Sequence, residues 1–144
     1  MYFNLNLDKQ WNIEDFSFRS NLCVQKSNSI ILSLPSFLVY QRIQYKKYFA
    51  GNVKLLTAIN FSIFSKYYVN SFFPLTDVFH SQFEEKKGFI PLVSFECALY
   101  RENFYIGLNV KNLNNLIFKG ESLVMNYPIP PQFFQLCVKW DFFD

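Results

Sequence analysis

The chain has 144 residues, 51% of them hydrophobic, 21% aromatic and 17% charged, with a formal net charge of +3. So apolar a composition excludes a disordered chain, and the length fits one hydrophobic core. The longest apolar stretch, Ile30 to Tyr40, is cut by Ser33, Pro35 and Ser36 and falls short of the roughly 20 residues that cross a bilayer's hydrocarbon, so no membrane span is expected.

Phe, Tyr, Asn, Ile and Lys make up 63 of the 144 residues, against 3 Ala, 4 Gly and 3 Arg. The favoured residues have A/T-rich codons, so the skew describes a genome, that of an organelle, an endosymbiont or a parasite, before it describes a fold. Cys23, Cys97 and Cys137 show no paired spacing, which argues against a disulfide framework and a zinc site. Met1 to Asp8 lacks a basic segment followed by an apolar one, so no secretory leader is read and synthesis inside an organelle is expected. Charge is uneven: no acidic residue lies between Asp15 and Asp77, where Arg19, Lys26, Arg42, Lys46, Lys47, Lys54 and Lys66 stand.

In chain order, residues 1–28 read as an irregular extension, following neither a period of 2 nor one of 3.6. Ser29 to Leu34 and Phe37 to Ile43, rich in β-branched and aromatic residues on either side of Pro35, predict one strand bent at the proline. From Asn52 to Tyr68, the spacing of Val53, Leu56, Ile59, Ile63 and Tyr67 predicts a helix starting after Gly51. Phe79 to Gly88 reads as a charged loop, and Phe89 to Leu99 and Asn103 to Val110 as two strands, the second alternating cleanly. Glu121 to Tyr127 predicts a short helix stopped by Pro128, and Phe133 to Trp140 a last alternating strand. The order β-α-β-β-α-β predicts an α+β fold: a mainly antiparallel sheet with two helices on one face, formed by residues 29–144.

No phosphate-binding loop, dinucleotide fingerprint, zinc-protease helix or nucleophile elbow is present. With one histidine, His80, no acid, base and nucleophile can be assembled, so no enzyme is expected and no cofactor is implied. The run Tyr40 to Phe49 mixes basic and aromatic side chains, Arg42, Tyr45, Lys46, Lys47 and Tyr48, in the manner of surfaces that bind phosphates and stack unpaired bases. The alternative is a strand end whose tyrosines pack while the lysine heads stay in water.

Arg101-Glu102-Asn103-Phe104-Tyr105-Ile106, Glu121 to Pro130, Phe133 to Val138 and Phe72 to Thr76 together resemble the small-subunit ribosomal protein "S ten" family in order and approximate spacing. The resemblance implies an extended hairpin between the second and third strands that reaches into ribosomal RNA, with Arg101 at its base and His80, Lys86 and Lys87 near its tip. The function it implies is a structural component of the small-subunit head in an organelle ribosome, of mitochondrial type, binding ribosomal RNA and neighbouring ribosomal proteins. The alternative carried beside it is an accessory subunit of an organelle respiratory or photosynthetic complex. An aromatic-lined β-barrel that binds a small ligand or chromophore is set aside because it needs about eight strands, more than are counted here.

Overall fold

The computed structural model describes residues 2–28, 33–116, 124, 125, 127 and 130–142. It is almost entirely β: β1 (Tyr2–Ile13), β2 (Phe16–Ser27), β3 (Phe37–Phe49), β4 (Val53–Phe64), β5 (Tyr67–Tyr68), β6 (Ser71–Phe73), β7 (Val78–His80), β8 (Lys86–Lys87), β9 (Leu92–Arg101), β10 (Phe104–Lys111) and β11 (Phe133–Trp140). One short 3-10 turn, Leu113–Leu116, completes the described elements. Seven strands form a single antiparallel sheet in the order β1-β2-β3-β4-β9-β10-β11.

The expected α+β fold is therefore corrected. Residues 52–68 do not form a helix: they hold the β3–β4 turn, β4 and β5. Val53, Leu55, Ile59, Phe61 and Ile63 alternate along β4 as well as the chosen positions fit a helix, and pairing of β4 with β3 and β9 on either side decides for the strand. Residues 1–28, read as irregular, supply β1 and β2, paired along their whole length from Tyr2↔Ser27 to Ile13↔Phe16. No extended hairpin lies between the expected second and third strands, Phe89 to Leu99 and Asn103 to Val110: they are β9 and β10, paired directly through the two-residue turn 102–103. The predicted helix from Glu121 to Tyr127 and the strand from Ser29 to Leu34 fall largely outside the described residues.

The connections are sorted by length. Residues 14–15, 50–52 and 102–103 make tight turns at one end of the sheet, whereas residues 28–36, 65–91 and 112–132 connect strands at the other. The two-residue turns place Glu14 (φ 51) and Glu102 (φ 42) in the left-handed region, as hairpin turns that match strand twist require. A residue with a Cβ costs about 1 kcal/mol or more there. Replacing Glu102 with Gly is accordingly expected to stabilise the β9–β10 hairpin by about 1 kcal/mol, read as a higher urea midpoint with an unchanged slope.

The long connection 65–91 is ordered internally. Gln82 donates its amide to the carbonyls of Val69 (2.6 Å) and Glu85 (2.8 Å) and accepts from the backbone N–H of Glu84 (2.7 Å) and Glu85 (2.9 Å). Val69 and Ile90 are buried within it. The Phe72 N–H donates to the Met125 carbonyl (3.0 Å) and the Met125 N–H to that of Asn70 (3.1 Å), so two long connections are laced together. Phe72, Phe79 and Tyr127 close the seam with ring centroids 5.0–6.0 Å apart.

Candidate functional site: the two faces of the sheet

Side chains alternate along a strand and cross-strand partners share a face, so the register assigns every residue to one side. One side takes Asn4, Asn6, Asp8, Gln10 and Asn12 of β1 with Ser17, Arg19, Asn21 and Gln25 of β2. It continues through Tyr40, Arg42, Gln44 and Lys46 of β3 to Lys54, Ala58, Asn60 and Ser62 of β4. Ser94, Glu96, Ala98 and Tyr100 of β9, then Tyr105, Gly107, Asn109 and Lys111 of β10, then Gln135 and Lys139 of β11 extend it. The opposite side takes Leu5, Leu7, Trp11, Ile13, Phe16, Phe18, Leu22, Val39, Ile43, Leu55, Ile59, Phe61, Val93, Phe95, Leu99, Ile106, Leu108, Val110, Phe134, Leu136, Val138 and Trp140. One face is predominantly polar across the seven strands, with Leu38, Leu56, Phe64, Leu92 and Phe133 interspersed, and the other predominantly apolar, with Lys9, Ser20, Lys26, Gln41, Lys47, Thr57 and Arg101 interspersed.

Among the described residues, many side chains of the apolar face stand exposed. Leu7 is 56% exposed, Ile43 47%, Ile59 48%, Leu136 67% and Trp140 60%. The buried apolar residues among those described are only Ala58, Val69, Ile90, Ala98 and Val110. The surface of 10305 Å² is well above the roughly 7,800 Å² usual for a folded monomer of 17.2 kDa. In water, so large an apolar patch needs a covering. Aromatic rings gather on this face toward the tight-turn end: Phe16 lies 4.9 Å from Tyr45, Phe104 6.0 Å from Trp140, and Trp140 5.0 Å from Phe142.

The polar face is cross-linked instead. The Arg42 guanidinium donates to Glu96 Oε2 (2.8 Å) and Asn60 Oδ1 (2.7 Å). Tyr40 donates its hydroxyl to the same Asn60 oxygen (2.9 Å), and Asn60 Nδ2 donates to Glu96 Oε1 (2.9 Å) and Ser94 Oγ (3.2 Å). Asn60 is thus the knot joining β3, β4 and β9. Toward β1 a second pair, Arg19 with Asp8, closes at 2.6 Å. Near the tight-turn end Lys54 Nζ sits 4.5 Å from the centre of the Tyr100 ring, which lies 4.8 Å from that of Tyr105. Tyr105 in turn folds over Gly107, where a Cβ would strike its hydroxyl, so this ring position depends on glycine.

The residues singled out from the sequence do not converge. Arg42, Lys46 and Tyr48 share the polar face; Tyr45, Lys47 and Arg101 point to the apolar one. Lys47 pairs with Asp15 (3.2 Å) at the tight-turn end. His80 ends β7, and Lys86 and Lys87 form β8, where Lys86 lies over the Tyr68 ring at 4.6 Å and Lys87 pairs with Glu85 at 2.6 Å. A run of basic and aromatic residues on a strand is split between two faces by its own geometry. Asn60, Glu96, Lys54 and Lys111 were missed; the signal for Glu96 is a lone carboxylate inside the apolar run Val93 to Leu99.

At the long-connection end a recess of about 460 Å³ is lined by Lys26, Lys66, Lys86, Tyr67, Tyr68 and Phe83 among others, with no carboxylate. Burial raises the Tyr67 phenol above its ordinary value, keeping it a neutral donor. Among the described residues no group of three metal-binding side chains occurs, and no helix is long and apolar enough to cross a membrane.

The family described as "Putative porin" matches residues 1–144, the whole chain. No curated protein and no solved structure matches it. The family match overturns the ribosomal resemblance, and with it ribosomal RNA and ribosomal proteins as partners, the mitochondrial ribosome as location, and the respiratory- or photosynthetic-subunit alternative. One segment that carried the resemblance has another use: Arg101 to Ile106 is the last residue of β9, the two-residue turn and the start of β10.

Proposed function

The chain belongs to this porin family, and from that membership and the two-faced sheet we propose that it forms part of the wall of a β-barrel in an outer-membrane-type bilayer. The apolar face meets lipid and the polar face lines a water-filled path for small solutes. The expectation of no membrane span is corrected with it: a strand needs only every second residue apolar, so a search for an unbroken apolar run passes over it.

The observation that carries this reading is the segregation of faces across all seven strands combined with the sorting of connections. β1 to β4 are 12 or 13 residues long, about 40 Å at about 3.3 Å per residue, which crosses a hydrocarbon layer when tilted by about 45°. Short turns at one end, long connections at the other and an aromatic girdle on the lipid side are the features such walls share. In lipid, every backbone polar group must be paired, and a ladder does this for all strands but the outer two. β1 and β11 run in the same direction, seven strands being odd, so an antiparallel wall closes only with an odd number of further strands.

The test is fractionation followed by conductance. The protein in its native membrane is expected to resist carbonate washing, to be released by detergent, and to migrate differently before and after boiling. Reconstituted with whatever completes its sheet, it is expected to give discrete conductance steps in a planar bilayer. Release by carbonate alone, or a bilayer that stays silent, contradicts the proposal.

A further inference from the structure

On the polar face between the strand ends, Arg19, Arg42, Lys46, Lys54, Lys111 and Lys139 are basic, whereas Asp8 and Glu96 alone are acidic. Both carboxylates are taken: Asp8 by Arg19 at 2.6 Å and Glu96 by Arg42 at 2.8 Å. Lys139 is held by Asp141 at 3.0 Å. Lys46, Lys54 and Lys111 remain without an ion pair among the described residues. The register spaces them along the strand direction. Lys111 pairs with Phe133 and shares its level with Asn60 and Arg42; Lys46 lies four residues further along β3, and Lys54 pairs with Tyr48, six residues further. At about 3.3 Å per residue, the three ammonium-bearing levels are staggered by about 13 Å and then about 7 Å.

We propose that this wall favours anions over cations, passing small carboxylates, phosphates and halides along the ladder Lys111, Lys46 and Lys54. The inference rests on the pore reading and names its solute class. Fixed cations beside a narrow aqueous path concentrate anions and repel cations, which is how lysine and arginine rings select in pores. The step from Lys111 to Lys46 exceeds one screening length, about 8–10 Å at physiological salt, whereas Lys46 and Lys54 lie within one and act on an ion together, giving two successive stations along the wall. Glu14, Asp15, Glu102 and Asp141 lie outside the strands at the tight-turn rim, and Asp15 and Asp141 are ion-paired with Lys47 and Lys139. Bulk salt screens them there.

The experiment is the reversal potential of native, detergent-extracted protein in a planar bilayer under a potassium chloride gradient. The chloride-to-potassium permeability ratio is expected to exceed 1 by about threefold or more. The triple substitution Lys46→Gln, Lys54→Gln, Lys111→Gln is expected to bring it near 1, and the corresponding triple Glu substitution below 1. Lys47→Gln, on the lipid side, leaves it unchanged. Heat-dependent migration verifies that each variant is folded, and the neutral triple serves if the acidic one does not assemble. A native ratio at or below 1, or a ratio indifferent to the folded triple variant, overturns the inference while the pore stands. A silent bilayer removes the pore reading and this inference with it.

Discussion

Replacing Ile43 with Arg is expected to destabilise the protein in a bilayer by about 2–4 kcal/mol, the cost of a cationic side chain on the lipid face near the midplane of a β-barrel. Ile43 is suited to the test because it lies in the row Trp11, Phe18, Ile43, Ile59, Phe95, Val110 and Phe134, well away from the tight turns. It is 47% exposed, so no repacking of neighbours confuses the result. The matched substitution is Asn109→Arg, at nearly the same level but on the polar face and opposite Glu96. There the guanidinium stays in water beside a carboxylate, and the change is expected to stay within about 0.5 kcal/mol. Urea titrations of vesicle-reconstituted protein read both. Equal effects at the two positions would mean that the faces do not meet different solvents.

The same alternation explains which parts of the fold were legible in the sequence. Phe104, Ile106, Leu108 and Val110, and again Phe134, Leu136, Val138 and Trp140, alternate without a break, and both segments are strands as read. In β1 the series Phe3, Leu5, Leu7, Lys9, Trp11 and Ile13 alternates too, but Lys9 interrupts it, and opposite it Ser20 interrupts β2. In β4 the polar face carries Leu56 and Ala58, so apolar residues occupy both parities and a helical spacing can be drawn through them. Only the pairing partners on either side resolve that ambiguity, and they are remote in sequence.

The polar network was less legible still. Glu96, Asn60 and Arg42 are separated by 36 and 18 residues and meet only because β4 pairs with β3 and β9 in one register. A period of 2 identifies which residues share a face of one strand; it does not identify which strand lies beside it. The composition misled for a related reason. So apolar a chain is expected to fill one hydrophobic core, whereas a sheet one layer thick leaves much of its Phe and Ile exposed.

Removing the carboxylate of Glu96 is expected to lower stability and raise anion preference together. Glu96→Ala leaves Arg42 without its anionic partner and takes an acceptor from Asn60 Nδ2. The side chains are 25% and 33% exposed, so water compensates part of the loss and about 1–3 kcal/mol is expected rather than the full cost of a buried pair. Glu96→Gln keeps an acceptor and is expected to cost about half as much, and a double-mutant cycle with Arg42→Met isolates the coupling between the two charges. Either change at Glu96 also frees Arg42 as a fourth unpaired cation on the polar face, on the level of Lys111. The chloride-to-potassium permeability ratio should then rise above that of the unmodified protein while the urea midpoint falls. A merely structural salt bridge predicts the fall alone, so a ratio unchanged in a folded Glu96→Gln channel would leave the network as a brace for β3, β4 and β9 with no part in selecting ions.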